Sequence, residues 1–84
     1  GEEFCALLPE TDLQSGIGAG ERLRMAIHEV EICDGSGQPV PGISISAGLA
    51  ERRTGENAED MLQRADQALY MAKAQGRDRV VTSD

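Results

Sequence analysis

Apolar residues change their spacing several times along the chain, and each spacing predicts an element. Phe4-Cys5-Ala6-Leu7-Leu8 is an uninterrupted apolar run closed by Pro9, the pattern of a buried strand. Leu23, Ala26, Ile27 and Val30 then recur at helical spacing, which predicts a helix over residues 12–30. Thr11, followed three residues later by Gln14, has the form of a capping box, and Asp12 adds negative charge at the helix start. Gly16, Gly18 and Gly20 weaken the first half of this helix by about 1 kcal/mol each relative to alanine, so that half must lean on packing or admit a close backbone neighbour.

The polar stretch Asp34-Gly35-Ser36-Gly37-Gln38-Pro39 is the strongest turn signal in the chain. It separates Val30-Glu31-Ile32-Cys33 from the alternating Ile43-Ser44-Ile45-Ser46-Ala47-Gly48-Leu49-Ala50, which predicts a β-hairpin between the two. Gly48, inside the second limb, marks a bulge or a place where another backbone passes close by. Residues 52–57 are polar and read as a loop. Ala58, Met61, Leu62, Ala65, Ala68, Leu69 and Ala72 then keep a 3.6-residue period, with Gly76 where a C-terminal cap belongs. Arg79-Val80-Val81-Thr82 completes the pattern as a short strand. The order strand, helix, hairpin, helix, strand predicts an α+β fold, a sheet with helices packed on it. Two helices over three or four strands leave a face or an edge underprotected, so strands from a preceding part of the domain are expected in the middle of the sheet.

Composition narrows the function. Eighty-four residues hold one small domain at most, and 39% apolar content argues against disorder or a coiled-coil rod. Eight basic residues against fifteen acidic ones give a net charge of −7, which works against binding a nucleic-acid polymer or contacting an anionic membrane directly. One Phe, one Tyr and no Trp provide no platform for stacking bases. Cys5 and Cys33 form no CxxC motif or Cys/His cluster, so neither zinc nor a disulfide framework is suggested, and a reducing cytoplasm fits. No apolar stretch exceeds five residues, far short of the roughly 20 of a spanning helix. The chain opens on Gly1-Glu2-Glu3 without an initiator Met, and it reads as a piece of something longer.

Two groups of residues could carry chemistry. Glu2 and Glu3 are adjacent carboxylates at a glycine-bearing turn just before a strand, a hard-oxygen donor pair suited to Mg2+ or Mn2+, and such pairs can serve phosphoryl transfer. On spacing alone, an acidic solvated chain end explains them better. Lys73 and Arg77 flank the end of the last helix, where they either cap its dipole or clamp a phosphate, Lys as a point charge and Arg as a bidentate fork. Arg22, Arg24, Arg64 and Asp66 read as solvated, salt-bridged helix faces. His28 is the only histidine and reads as a surface residue, which leaves no Ser/His/Asp or Cys/His arrangement to propose.

Together these segments resemble the C-terminal portion of a single GGDEF domain, the diguanylate cyclase family that makes cyclic di-GMP from two GTP molecules, and the likeness runs over residues 1–84. Gly1-Glu2-Glu3-Phe4 is similar to the end of the signature in its GGEEF form. Glu21-Arg22-Leu23-Arg24-Met25-Ala26-Ile27 resembles the AERLRxAI helix, and residues 43–50 the TVSIGVA strand. Arg64-Ala65-Asp66-Gln67-Ala68-Leu69-Tyr70-Met71-Ala72-Lys73-Ala74-Gln75-Gly76-Arg77-Asp78 resembles the RADxALYxAKxxGRN ending, the longest and most specific match.

The resemblance implies a partial nucleotidyl-cyclase palm-like sheet and assigns roles residue by residue. Glu2 matches a metal ligand, and Glu3 a neighbour implicated in metal binding or in activating the ribose 3′-hydroxyl. Gly1 matches the glycine that lets nucleotide approach the backbone, Lys73 and Arg77 match contacts to the GTP phosphates, and Arg22 matches an arginine of an inhibitory product site in some members. It also implies Mg2+ or Mn2+ as cofactor, a second GGDEF domain as homodimer partner, an upstream sensory or receiver domain, and a cytoplasmic location, with membrane anchoring through an upstream domain left open. Asp78 stands where Asn is commonest, and the three helix glycines replace better helix formers. A metal-binding Asp and the guanine-recognising residues belong to an earlier part of the domain, so the 84 residues alone are expected to be inactive. The competing reading is a degenerate GGDEF module that binds GTP or cyclic di-GMP, or mediates dimerisation, without turnover.

Overall fold

A computed structural model describes Leu8 and residues 10–83. The elements are helix α1 (Leu13–Glu29), strand β1 (Ala47–Leu49), helix α2 (Ala58–Ala74) and strand β2 (Val80–Thr82). The strand expected over residues 4–8 lies outside the described residues, except for Leu8.

Both helices start on side-chain caps. Asn57 accepts a hydrogen bond from the Asp60 amide at 2.8 Å, and Glu59 and Asp60 in the first turn of α2 complement its dipole. At α1 the cap is Asp12, whose Oδ1 accepts from the Ser15 amide at 2.8 Å. That corrects the expected Thr11–Gln14 capping box by one residue: a carboxylate aimed at the N3 amide displaces the weaker hydroxyl cap. The Leu13 amide, another of the first-turn donors, is taken by Glu51 Oε2 at 3.2 Å. The bounds of α1 otherwise fall within one residue of expectation.

The two strands are parallel, with Ala47 opposite Val80, Gly48 opposite Val81 and Leu49 opposite Thr82, and α2 forms the crossover between them. Backbone bonds extend the pairing at both ends, from the Ala47 amide to Arg79 O and from the Ser83 amide to Leu49 O. Alternation along each strand sends Leu49 and Val80 to one face and Gly48 to the other. On the first face α1 lies against the pair: a Cβ added at Gly16 would be 3.1 Å from Leu49 Cδ2, and one at Gly20 would be 3.2 Å from Val80 Cγ2. On the second face the α2 backbone at Ala65 and Leu69 lies directly over Gly48. The helices therefore sandwich the sheet, each brought close by glycine. Gly48 is the close-approach site its pattern suggested, and Gly16 and Gly20 lean on packing as expected.

The hairpin differs in its return limb. Asp34 Oδ1 accepts from the Ser36 amide, the Ser36 hydroxyl and the Gln38 amide, closing the predicted turn. The chain then pairs back at once, with Val40 N–H bonded to Ile32 O and a bridge between Cys33 and Pro39. Residues 43–50 do not form the second limb. Pro41 supplies no amide to continue the ladder and Gly42 (φ +77°) turns the chain away, which frees residues 47–49 to pair with β2 instead.

Among the described residues the buried apolar side chains are Ala68 and Ala72, both on the predicted inner stripe of α2. Leu23, Met25, Leu62, Tyr70 and Met71 are exposed.

Arg64 ties the polar loop to the sheet end. It donates to Glu56 through Nε (2.7 Å) and Nη2, to Glu51 O, and to the Ser83 hydroxyl. Both side chains of the pair are largely covered, at 14% and 11% exposure, so the solvated face expected for Arg64 is instead an internal brace. The guanidinium holds the Glu56 carboxyl down to about 2 from an ordinary 4.5. A depressed carboxyl contributes stability above its unfolded value and loses it as acid approaches the folded value. Between pH 4.5 and about 2 the wild type is therefore expected to lose more thermal stability than Glu56→Gln, measured by melting each across that range; parallel curves would refute the brace.

Candidate functional site

The candidate site begins where α2 stops. Arg77 N–H bonds to Ala72 O at 2.9 Å and Gly76 N–H to Lys73 O at 3.4 Å, the paired bonds of a Schellman ending with Gly76 at φ +119°. Gly76 is the expected cap. The left-handed conformation does not end with it: Arg77 (φ +64°) and Asp78 (φ +48°) follow in the same region, where a side chain costs energy. Lys73 sits half-buried in the last turn of α2, and Arg77 stands exposed on the turn beyond. The two cations singled out from sequence are thus held at one helix end, by one cap.

The strained turn is braced from three sides. Asp78 N–H donates to the Ser46 hydroxyl at 3.1 Å, just before β1. Asp78 Oδ1 accepts from Arg24 Nη1 at 3.2 Å and lies 2.8 Å from His28 Nε2, both from α1. Arg79 Nε donates to Arg77 O at 3.0 Å. Arg24 is shared, since its Nη2 also pairs with Glu21 at 2.8 Å. The His28 hydrogen bond, then Arg24, holds the Asp78 carboxyl below its usual range, and the Arg24 hydrogen bond does the same for Glu21. The Arg77 guanidinium makes no ion pair among the described residues.

Sequence reasoning missed this brace. His28 is exposed as expected, yet it is a partner of Asp78, fifty positions away. Glu21, Arg24 and His28 at i, i+3 and i+7 share one stripe of α1, which is the available signal. Nothing in the spacing says which later carboxylate meets that stripe. Arg22, two residues before Arg24, is exposed on α1.

Gly1, Glu2 and Glu3 lie outside the described residues. Among the described residues no group of three or more His, Cys, Asp or Glu is arranged to hold a metal ion, and no helix is long and apolar enough to cross a membrane. An open groove of about 610 Å3 runs beside the start of α1, lined by Leu13, Leu49, Glu51 and Met61. It includes neither Lys73 nor Arg77.

Comparison with known proteins gives a consistent result. A family profile described as diguanylate cyclase, GGDEF domain, matches residues 1–79. The chain is 37% identical over 83 residues to diguanylate cyclase DgcM of Escherichia coli, covering 99% of this chain and 19% of that protein. It is 46% identical over 80 residues to diguanylate cyclase DgcP of Pseudomonas aeruginosa, covering 95% and 12%, and 37% identical to the response regulator PleD of Caulobacter vibrioides, covering 96% and 18%. Among solved structures, the GGDEF domain of DgcB from Caulobacter crescentus, in complex with c-di-GMP, superposes with a TM-score of 0.85 at 28% identity, over 92% of this chain and 44% of that one. The chain thus spans a fifth or less of the length of these curated relatives and under half of that solved chain.

Proposed function

The chain belongs to the GGDEF diguanylate cyclase family, and from that premise we propose that, within a complete domain, it helps join two GTP molecules into cyclic di-GMP. The observation that carries this reading is the match over residues 1–79, which includes both carboxylates of the signature and both cations at the end of α2. Each ribose 3′-hydroxyl attacks the α-phosphate of the other GTP, so that one P–O bond forms, the α–β bridge breaks, pyrophosphate leaves and the hydroxyl proton passes to a base. Two domains must face each other for this, each presenting one GTP. Lys73 and Arg77 bind phosphate oxygens, and Gly1 admits the nucleotide against the backbone. Glu2 and Glu3 are the hard-oxygen donors that Mg2+ or Mn2+ takes, and Glu3 either shares in holding the ion or activates the ribose 3′-hydroxyl. A bound divalent ion would neutralise developing phosphate charge. Arg22 belongs to a product-binding surface on α1. The exposed Leu23, Leu62, Tyr70 and Met71 are covered by the remainder of the domain, and the 84 residues alone give no product. In the complete protein an upstream sensory or receiver domain controls the pairing, and a cytoplasmic location supplies GTP.

The test is to incubate the complete protein with GTP and Mg2+ and look for cyclic di-GMP by chromatography. A folded protein that binds GTP but yields no product would leave the non-catalytic binding module as the answer. Lys73→Ala and Arg77→Ala are each expected to weaken GTP binding about tenfold, the worth of one charge-assisted phosphate contact. Affinity unchanged in calorimetry would reduce both to helix caps.

A further inference from the structure

We propose that Asp78 is a positioning residue: held by Arg24 and His28 of α1 and by Ser46, it fixes the left-handed turn that aims Arg77 at the nucleotide phosphates. The inference rests on the reading of Arg77 as a phosphate contact. Arg77 and Asp78 both sit at positive φ, φ +64° and +48°, a conformation that side chains keep only where the surroundings impose it. The Schellman bonds reach Arg77 from the helix side, and Arg79 Nε holds its carbonyl. These contacts leave the far end of the turn to Asp78, whose amide is bonded to Ser46 and whose Oδ1 is gripped by two α1 side chains. The bonds come from α2, from α1 and from Ser46 just before β1, so the turn is registered against the body of the fold and not only against α2. An arginine fork needs this, because its advantage over a point charge is directional and vanishes if the backbone beneath it swings. Glu21 completes the device by accepting from Arg24 Nε and from Nη2, the latter at 2.8 Å. The cationic side chain of α1 is thus fixed before it meets Asp78.

The experiment is a double-mutant cycle in the complete protein, reading the affinity of a GTP analogue blocked at the α-phosphate by calorimetry at a temperature where every variant is folded. Arg77→Ala and Asp78→Ala are each expected to weaken binding, the first about tenfold and the second several-fold. The double variant is expected to bind no worse than Arg77→Ala, since Asp78 acts only through Arg77. Asp78→Asn tolerates positive φ and keeps one acceptor oxygen, so it should restore most of the affinity. A merely structural Asp78 would lower the melting temperature without these shifts. Additive losses, or no loss in Asp78→Ala while Arg77→Ala is weakened, would overturn the positioning role. No loss in Arg77→Ala would overturn the phosphate contact itself, and the positioning role with it. If Asp78→Ala does not fold, Arg24→Ala with His28→Ala removes both side-chain contacts to Asp78 Oδ1 without touching the turn, and must show the same non-additivity with Arg77→Ala.

Discussion

Gly48→Ala is expected to destabilise the protein by at least about 3 kcal/mol, the upper end of what overpacking usually costs. A Cβ built on Gly48 would meet Ala65 O and Leu69 N, with Leu69 Cα at 2.7 Å. All three are backbone atoms of α2, so no side-chain rotation relieves the clash. The helix must instead retreat from β1, and it carries Ala68 and Ala72, the buried apolar groups of the described core. Retreat gives up their packing, and domains of this kind have only about 5–15 kcal/mol to lose. Urea melts followed by circular dichroism would measure the effect. The other close glycines supply an internal scale. A Cβ at Gly18 would come no nearer than 3.5 Å to the flexible Arg22 Nη1, so Gly18→Ala should stabilise by up to about 1 kcal/mol through helix propensity alone. Gly16→Ala and Gly20→Ala gain the same propensity but crowd Leu49 and Val80 at 3.1 and 3.2 Å, and should fall between. A Gly48→Ala variant as stable as Gly16→Ala would mean that α2 does not sit on β1 as described.

That order of effects also explains what the sequence could and could not reveal. The inner stripe of α2 was readable because seven apolar positions keep one period, and Ala68 and Ala72 on it are the buried ones. Gly48 was readable as an anomaly, a glycine inside an alternating strand, although the partner backbone was not. Gly76 announced the end of α2 for the same local reason, being a glycine one helical turn past the last periodic residue. Local rules failed where two local solutions competed. Asp12 outbid Thr11 as a cap, and Pro41 with Gly42 cut the hairpin short, which released residues 47–49 to a partner thirty-three positions later. The brace on Asp78 is wholly non-local, formed by residues fifty and fifty-four positions away and by a serine thirty-two away, and no spacing rule reaches that far.

In the complete protein, Glu2→Ala and Glu3→Ala are each expected to lower kcat by about 10²–10⁴-fold, the range for losing a group that acts on the reacting atoms. The double variant should lose little more than the worse single one, because residues that act as a unit are not additive. The reason lies in charge. With a net charge of −7 the chain repels a polyanionic nucleotide, and on the proposed reading Lys73 and Arg77 compensate only at the phosphates they would contact. The proposed reaction brings a second anionic nucleotide to the first and so calls for further positive charge at the transferring phosphate, which two adjacent carboxylates in an acidic chain would supply by holding a divalent cation. Loss of the carboxylates should therefore strike kcat, while loss of Lys73 or Arg77 strikes binding. Separate measurements of kcat and of analogue affinity distinguish the two groups. Turnover that survived removal of both Glu2 and Glu3 would sink the assignment, and equal effects of all four residues on kcat and affinity would show that the division of labour between the signature and the end of α2 is wrong.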